Sequence, residues 1–178
     1  MANFEHSIDV NVPVSTAYNQ WTQFETFPYF MEGVKEIRQI DDTRMHWKAE
    51  IAGKEQEWDA RITEQTPDQR IAWTSTSGAK NAGVVTFHHI APSQTRVMLQ
   101  IDYEPQGLLE NIGAVLGLIE GRMKGDLQRF KTFIEDTERP TGAWRGTVER
   151  DGTVENEGNI EQALIQPSNM TADMKIKE

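Results

Sequence analysis

The sequence predicts an α+β domain in which an antiparallel sheet is covered by one long C-terminal helix. Three observations carry that expectation. From Gly107 to Asp136, the residues Leu108, Ile112, Leu116, Ile119, Met123, Leu127, Phe130 and Ile134 recur at spacings of three and four, the stripe of a single amphipathic helix. Ahead of it, between Val34 and Tyr103, apolar and polar residues alternate at period two. The connections between those alternating runs are too short for crossover helices, which favours an antiparallel meander.

Taken in order, Phe4 to Val12 is a first strand, with Phe4, His6, Ile8, Val10 and Val12 on one face. Pro13 ends it and suits the start of a helix, where its missing N–H is not needed. Val14, Ala17, Tyr18 and Trp21 then fall at helical spacing. The aromatic run Phe24, Phe27, Pro28, Tyr29, Phe30 and Met31, closed by Gly33, reads as a second short helix and turn. From Thr43 to Ile51, Met45, Trp47, Ala49 and Ile51 share a face, and from Lys54 to Gln65 so do Gln56, Trp58, Ala60 and Ile62, with Gly53 in the hairpin between. Beyond Pro67-Asp68 the inward sets are Ile71, Trp73 and Ser75, then Val85, Phe87 and His89, then Val97, Leu99, Ile101 and Tyr103. The order is strand, two helices, about six strands and a long helix.

After Glu135 the composition changes. Residues 138–178 are rich in Glu, Asn, Thr and Gly and poor in large apolar side chains, which predicts a domain over residues 1–137 and an acidic, polar and largely flexible tail over 138–178. Two features stand against a wholly loose tail. Trp144 offers a docking side chain, and Asp151-Gly152 between Thr147-Val148 and Thr153-Val154 has the form of a small hairpin.

Charge and composition exclude several function classes. A net charge of −10 argues against binding along a nucleic-acid phosphate backbone or an anionic membrane surface. With no cysteine, the chain has no disulfide, thiolate nucleophile or Cys-based zinc site. The first residues lack the basic and apolar blocks of a secretory signal, and the longest apolar stretch, Ile112 to Ile119, falls well short of the roughly 20 residues that span a bilayer. The expectation is a soluble, cytoplasmic protein without stable membrane insertion.

Local patterns within Phe4 to Glu135 carry a family resemblance. They are Val10-Asn11-Val12-Pro13 followed by Ala17 and Trp21, the Phe27-Pro28-Tyr29-Phe30 turn, and the strand Gly83-Val84-Val85-Thr86-Phe87. Together with the order of elements they resemble the START-like (SRPBCC, helix-grip) superfamily, which contains polyketide cyclases and dehydratases and coenzyme Q-binding proteins. The Phe-Pro-Tyr-Phe turn is similar to the aromatic-Pro-x-Phe element of the coenzyme Q-binding branch. The resemblance implies an α+β helix-grip fold, a curved antiparallel sheet of about six to seven strands around the long C-terminal helix. It also implies a cavity for an apolar or aromatic small molecule. The tail has no counterpart in that core.

The candidate ligand-binding residues follow from phase. Trp47, Trp58, Trp73, Phe87, Leu99 and Tyr103 share the inner sheet face, and Leu116, Ile119 and Met123 the facing stripe of the helix. Any one of them alone reads more readily as core packing. As a set, three tryptophans on one face are bulky to interdigitate with one helix without leaving space. Gln56, Ser75 and His89 are polar residues in the same inward phase, placed to orient a ligand's carbonyls or hydroxyls, or else hydrogen-bonded internally or set at strand ends. His88 and His89 point to opposite faces, so they form no metal pair, and with His6 and His46 isolated no metal site is expected. No cofactor is expected either, since the chain has no Gly-rich phosphate loop.

Catalytic signatures are thin, with no Gly-x-Ser-x-Gly elbow and no His-Glu-x-x-His. The acid or base that a cyclase needs has only His89, Tyr103 and Tyr18 as candidates. The helix adds Gly113, Gly117, Gly121 and Gly125, each costing a helix about 1 kcal/mol against Ala. They read as a close approach to the sheet, a partner helix, a flexible gate, or an indifferent surface run. Around them Ala114, Val115 and Leu118 widen the apolar arc, as at a cavity mouth, a homodimer contact or a transient membrane touch. The leading reading is a noncatalytic carrier for an apolar small molecule such as a quinone or isoprenoid lipid. The alternatives are a polyketide cyclase/dehydratase-type enzyme using the same cavity, and a protein-interaction module docking through Leu116 and Leu118.

Overall fold

Strand β1 (Ala2–Val10) pairs antiparallel with β7 (Gln94–Tyr103) from Ala2 opposite Tyr103 to Val10 opposite Thr95, so the first element closes against the last strand of the meander. The chain is described by a computed structural model over residues 2–105 and 112–156. After Pro13 come α1 (Val14–Trp21) and a short 3-10 helix over Phe24–Tyr29, then β2 (Val34–Gln39), β3 (Arg44–Ile51), β4 (Lys54–Thr66), β5 (Arg70–Gly78) and β6 (Asn81–Ala91). The sheet runs β1-β7-β6-β5-β4-β3-β2, with each of these neighbours antiparallel, and the helix α2 (Ile112–Thr137) follows β7. This is the curved sheet and long helix of the helix-grip fold. The expected N-terminal start of the long helix, Gly107 to Asn111, lies outside the described residues.

Local chemistry sets the turns. The β3–β4 hairpin turns on Ala52 and Gly53, both at positive φ (53° and 78°), the requirement of a two-residue type I′ turn. Two irregularities of register interrupt β4, at Asp59/Ala60 and at Ile62/Glu64. The second reverses the alternation, so that Gln65, rather than Glu64, is buried.

The core lies where α1, the 3-10 helix and the C-terminal half of α2 meet the sheet. Trp21 sits edge-on to Phe130 (5.0 Å between centroids, 77°), and Tyr18 edge-on to Phe87 (5.3 Å, 79°). Met123, Leu127, Phe130 and Ile134 are the buried residues of α2, four positions of one stripe. None of the helix before Met123 is buried. The glycines of that half do not approach the sheet: a Cβ built on Gly113, Gly117 or Gly121 meets nothing within 4 Å. Of the readings these glycines allowed, that removes the close approach to the sheet and leaves them on the outward side of the stripe. No helix among the described residues is long and apolar enough to cross a membrane.

The segment after α2 carries the docking Trp144 and the small hairpin around Asp151-Gly152 that the sequence offered. Residues 138–156 do not hang free but pack back on the domain, with β8 (Thr147–Val148) pairing Gln65 of β4 and β9 (Val154–Glu155) closing a hairpin on it. Val148 is buried, and the Arg145 guanidinium forms two hydrogen bonds to the Asp68 carboxylate at 2.9 and 2.8 Å. The polar composition misled because most of the anchoring is done by polar groups: Gln20, fully buried, donates to the Thr141 hydroxyl and accepts the Thr141 N–H. The expected tail beyond residue 156 lies outside the described residues.

Tyr18 gives this core a pH dependence. It is fully buried, its hydroxyl accepting a hydrogen bond from the Gln65 amide at 3.0 Å, and burial pushes its pKa up to about 12 from an ordinary value of 10.0. The folded state thus holds this proton more tightly than the unfolded chain. Its contribution is fully present below pH 10 and is lost as pH rises to about 12. At about 1.4 kcal/mol per unit, the loss is on the order of 2–3 kcal/mol. Urea unfolding between pH 9 and 12 is expected to show this decline in the wild type and a shallower one in Tyr18→Phe. Parallel slopes would remove Tyr18 as its source.

Candidate functional site

The concave face of the sheet and the N-terminal half of α2 enclose a cavity of about 180 Å³. Its sheet wall is built from alternate positions of neighbouring strands, Met45, Trp47 and Ala49 of β3, Trp58 and Ile62 of β4, Trp73 of β5, and Leu99, Ile101 and Tyr103 of β7. Trp21, Phe24, Phe27 and Met31 form the end wall, and Leu118, Ile119 and Met123 the roof.

Register places the tryptophans. Trp47 and Trp58 are direct cross-strand partners, so their rings stack at 5.6 Å and 14°. Both indole N–H groups are buried without a hydrogen-bond partner, each at a cost of about 1–3 kcal/mol. Trp73 lies opposite Gly83 of β6, where a Cβ would come within 2.3 Å of the indole; the glycine leaves room for the ring to cross the strand. The Trp73 indole N–H donates to the Asn81 side-chain carbonyl at 3.4 Å.

Charged groups meet the cavity at one edge, where Glu32, Glu50, Arg122 and Asp126 join Gly33 and Leu118. This edge holds exposed atoms of Glu32, Glu50 and Leu118 and is the mouth. The Arg122 guanidinium donates to the Glu50 main-chain carbonyl and lies over Gly33, whose φ of +90° and missing Cβ admit it. One turn on, the Asp126 carboxylate accepts the Glu32 N–H at 2.9 Å and pairs with Arg129. Burial pushes the Asp126 pKa up, against the lowering effect of those donors.

Of the residues singled out by phase, Trp47, Trp58, Trp73, Leu99, Tyr103, Ile119 and Met123 line this cavity. Four do not. Phe87 faces inward but packs under α1 against Tyr18 and Trp21. The Ser75 hydroxyl accepts the Asn81 N–H at 3.0 Å, and Gln56 sits near the β3–β4 hairpin, outside the lining. Leu116 is half-buried against the core, and Leu118 takes the roof position instead.

The acid–base candidates separate too. His89 is exposed, because β6 carries it to the tip of the β6–β7 hairpin, past the covered part of the sheet. Tyr18 is buried beneath α1 and is not among the lining residues. Tyr103 alone lines the cavity, and burial pushes its pKa up. Among the described residues, no three of His, Asp and Glu are grouped to hold a metal ion. Sequence phase missed Arg122 and Asp126, whose signal was their i, i+4 spacing from each other and from Leu118.

Comparison with known proteins agrees with this geometry. The family described as polyketide cyclase/dehydrase and lipid transport matches residues 10–132, more than half of the chain. An uncharacterised 17.2 kDa protein of Streptomyces lincolnensis is 54% identical over 149 residues, 83% of this chain and 99% of its own length. Among solved structures, an aromatase/cyclase from Streptomyces sp. R1128 superposes with a TM-score of 0.67 at 13% identity, over 80% of this chain and 98% of its own. A START superfamily protein from Mycobacterium smegmatis gives 0.66 at 14% identity, over 76% and 98%. At those identities the structural likeness establishes the shared fold.

Proposed function

Because the chain belongs to the polyketide cyclase/dehydrase and lipid transport family, we propose that it is a binding or carrier protein for an apolar small molecule of quinone, isoprenoid or similar lipid-like kind, held between sheet and α2. One observation carries this reading: a cavity walled by aromatic and aliphatic side chains, with its charged groups confined to the mouth. Burial of apolar ligand surface supplies the affinity, at about 25 cal/mol per Å² before the losses of association. The cavity is of the order of the ~150 Å³ apolar space that holds benzene, so it encloses one ring or a short branched chain, and a longer ligand extends through the mouth.

The enzymatic alternative has one observation in its favour. Asp126 is a carboxyl group at the cavity whose pKa is pushed up by burial, the direction a general acid needs. Its oxygens are already engaged by the Glu32 N–H and Arg129, which favours a positioning role. The interaction-module reading called for a chain without a cavity, and the cavity removes that support.

Native mass spectrometry of the purified protein, followed by solvent extraction of whatever is bound, tests the carrier reading. An apolar species with a quinone, prenyl or other lipid-like mass is the expected result. The reading falls if Tyr103→Phe and Asp126→Asn abolish turnover of a polyketide-like substrate while its binding is unchanged.

A further inference from the structure

Among the described residues Arg122 is the one cation on the cavity wall, and it keeps donors that no carboxylate takes up in an ion pair. Its guanidinium donates to a main-chain carbonyl, that of Glu50, and among the described residues no carboxylate lies within ion-pair distance of it, the Asp126 carboxylate one turn on feeling its charge from farther away. The carboxylates at the mouth have other cations closer to them, though two of them share one guanidinium. Glu50 pairs with Lys35 at 3.5 Å, while Asp126 and Glu32 both pair with Arg129. A partly buried guanidinium beside an apolar cavity, with donors to spare, is a site for an anion that the protein itself does not provide. Arginine also presents a planar fork that matches a carboxylate through two parallel hydrogen bonds.

We propose that Arg122 determines specificity, and that the cavity takes a monocarboxylate whose apolar body enters between sheet and α2 while its carboxylate stays at the mouth on the Arg122 guanidinium. This rests on the carrier reading above and narrows it to a chemical class. The dimensions agree. The roof residues Leu118 and Ile119 stand one turn from Arg122 on the same helix, so a ligand that touches them with its body presents its head group at the guanidinium. The protein's overall charge of −10 opposes an anion at long range. Screening limits that opposition to a Debye length of about 8 Å at physiological salt, and within the mouth the carboxylates already have partners.

The test uses a series of ω-phenylalkanoic acids of increasing chain length and their methyl esters, titrated calorimetrically into the full chain and into Arg122→Gln. In the wild type the acid is expected to bind at least about tenfold more tightly than its ester at the best chain length, the range of a charge-assisted hydrogen bond. In Arg122→Gln the acid is expected to fall to the ester's affinity while the ester is unchanged, so ester binding certifies the fold. Arg122→Lys is expected to restore part of the preference. Equal affinity of acid and ester in the wild type overturns the proposal and leaves the carrier reading standing. Acid preference that persists in Arg122→Gln overturns it as well. If neither acid nor ester binds, the proposal falls, and the carrier reading is decided separately by the extraction of co-purifying ligand.

Discussion

Replacing Phe130 with alanine is expected to remove about 3–5 kcal/mol of folding stability, the loss seen when a buried aromatic ring is truncated and its cavity stays open. Phe130 is fully buried, and its ring meets Trp21 at 5.0 Å and Phe30 at 5.2 Å, so one deletion strips contacts from α1, the 3-10 segment and α2 together. Those neighbours are rigid rings that cannot swing in to fill the gap. Against a total of about 5–15 kcal/mol for a domain, the variant should unfold at markedly lower urea with an unchanged slope. A urea midpoint shifted by less than about 0.5 M would show that this cluster does not hold the helix to the sheet.

Ala49→Phe is expected to abolish ligand binding while leaving the fold in place. Ala49 is buried on β3 and its methyl group lines the cavity. A benzene ring occupies an apolar space of about 150 Å³, so a benzyl group here takes up most of the cavity. Overpacking costs about 1–3 kcal/mol where space is lacking, and less here, because the ring enters an existing void. Affinity for a co-purifying ligand should drop at least about tenfold, with circular dichroism unchanged. Retained affinity with the fold intact would place the ligand outside the sheet–helix cavity.

Much of this architecture was legible in the sequence, and the reasons are particular. Period two placed Met45, Trp47, Ala49, Val97, Leu99 and Tyr103 inward, because strands paired at one register present alternate residues to one face. The failures have equally local causes. Alternation cannot see the register shift at Ile62/Glu64, which buries Gln65 and gives Tyr18 its partner. Phase tells which face a residue takes, but not how far along the strand the cover extends, so His89 and Phe87 were grouped with residues that share their face and not their position. Trp144 and the hairpin pointed to the docking of residues 138–156, but polarity hid the part of it that buried Gln20 and Thr22 hold through hydrogen bonds. Arg122 and Asp126 were masked by a helix whose apolar stripe drew attention from its charged neighbours.

The helix α2 is buried from Met123 to Ile134 and unburied from Ile112 to Arg122, and that asymmetry separates two timescales. Detaching the first turns forfeits little buried surface, and helix–coil relaxation runs at roughly 0.1–1 μs. Global unfolding must break the aromatic cluster and is slower by many orders of magnitude. On the proposed carrier reading, residence time of a ligand and lifetime of the fold are then governed by different ends of one helix. Substitutions near Leu118 can tune release while those near Phe130 set durability, and selection can act on the two independently.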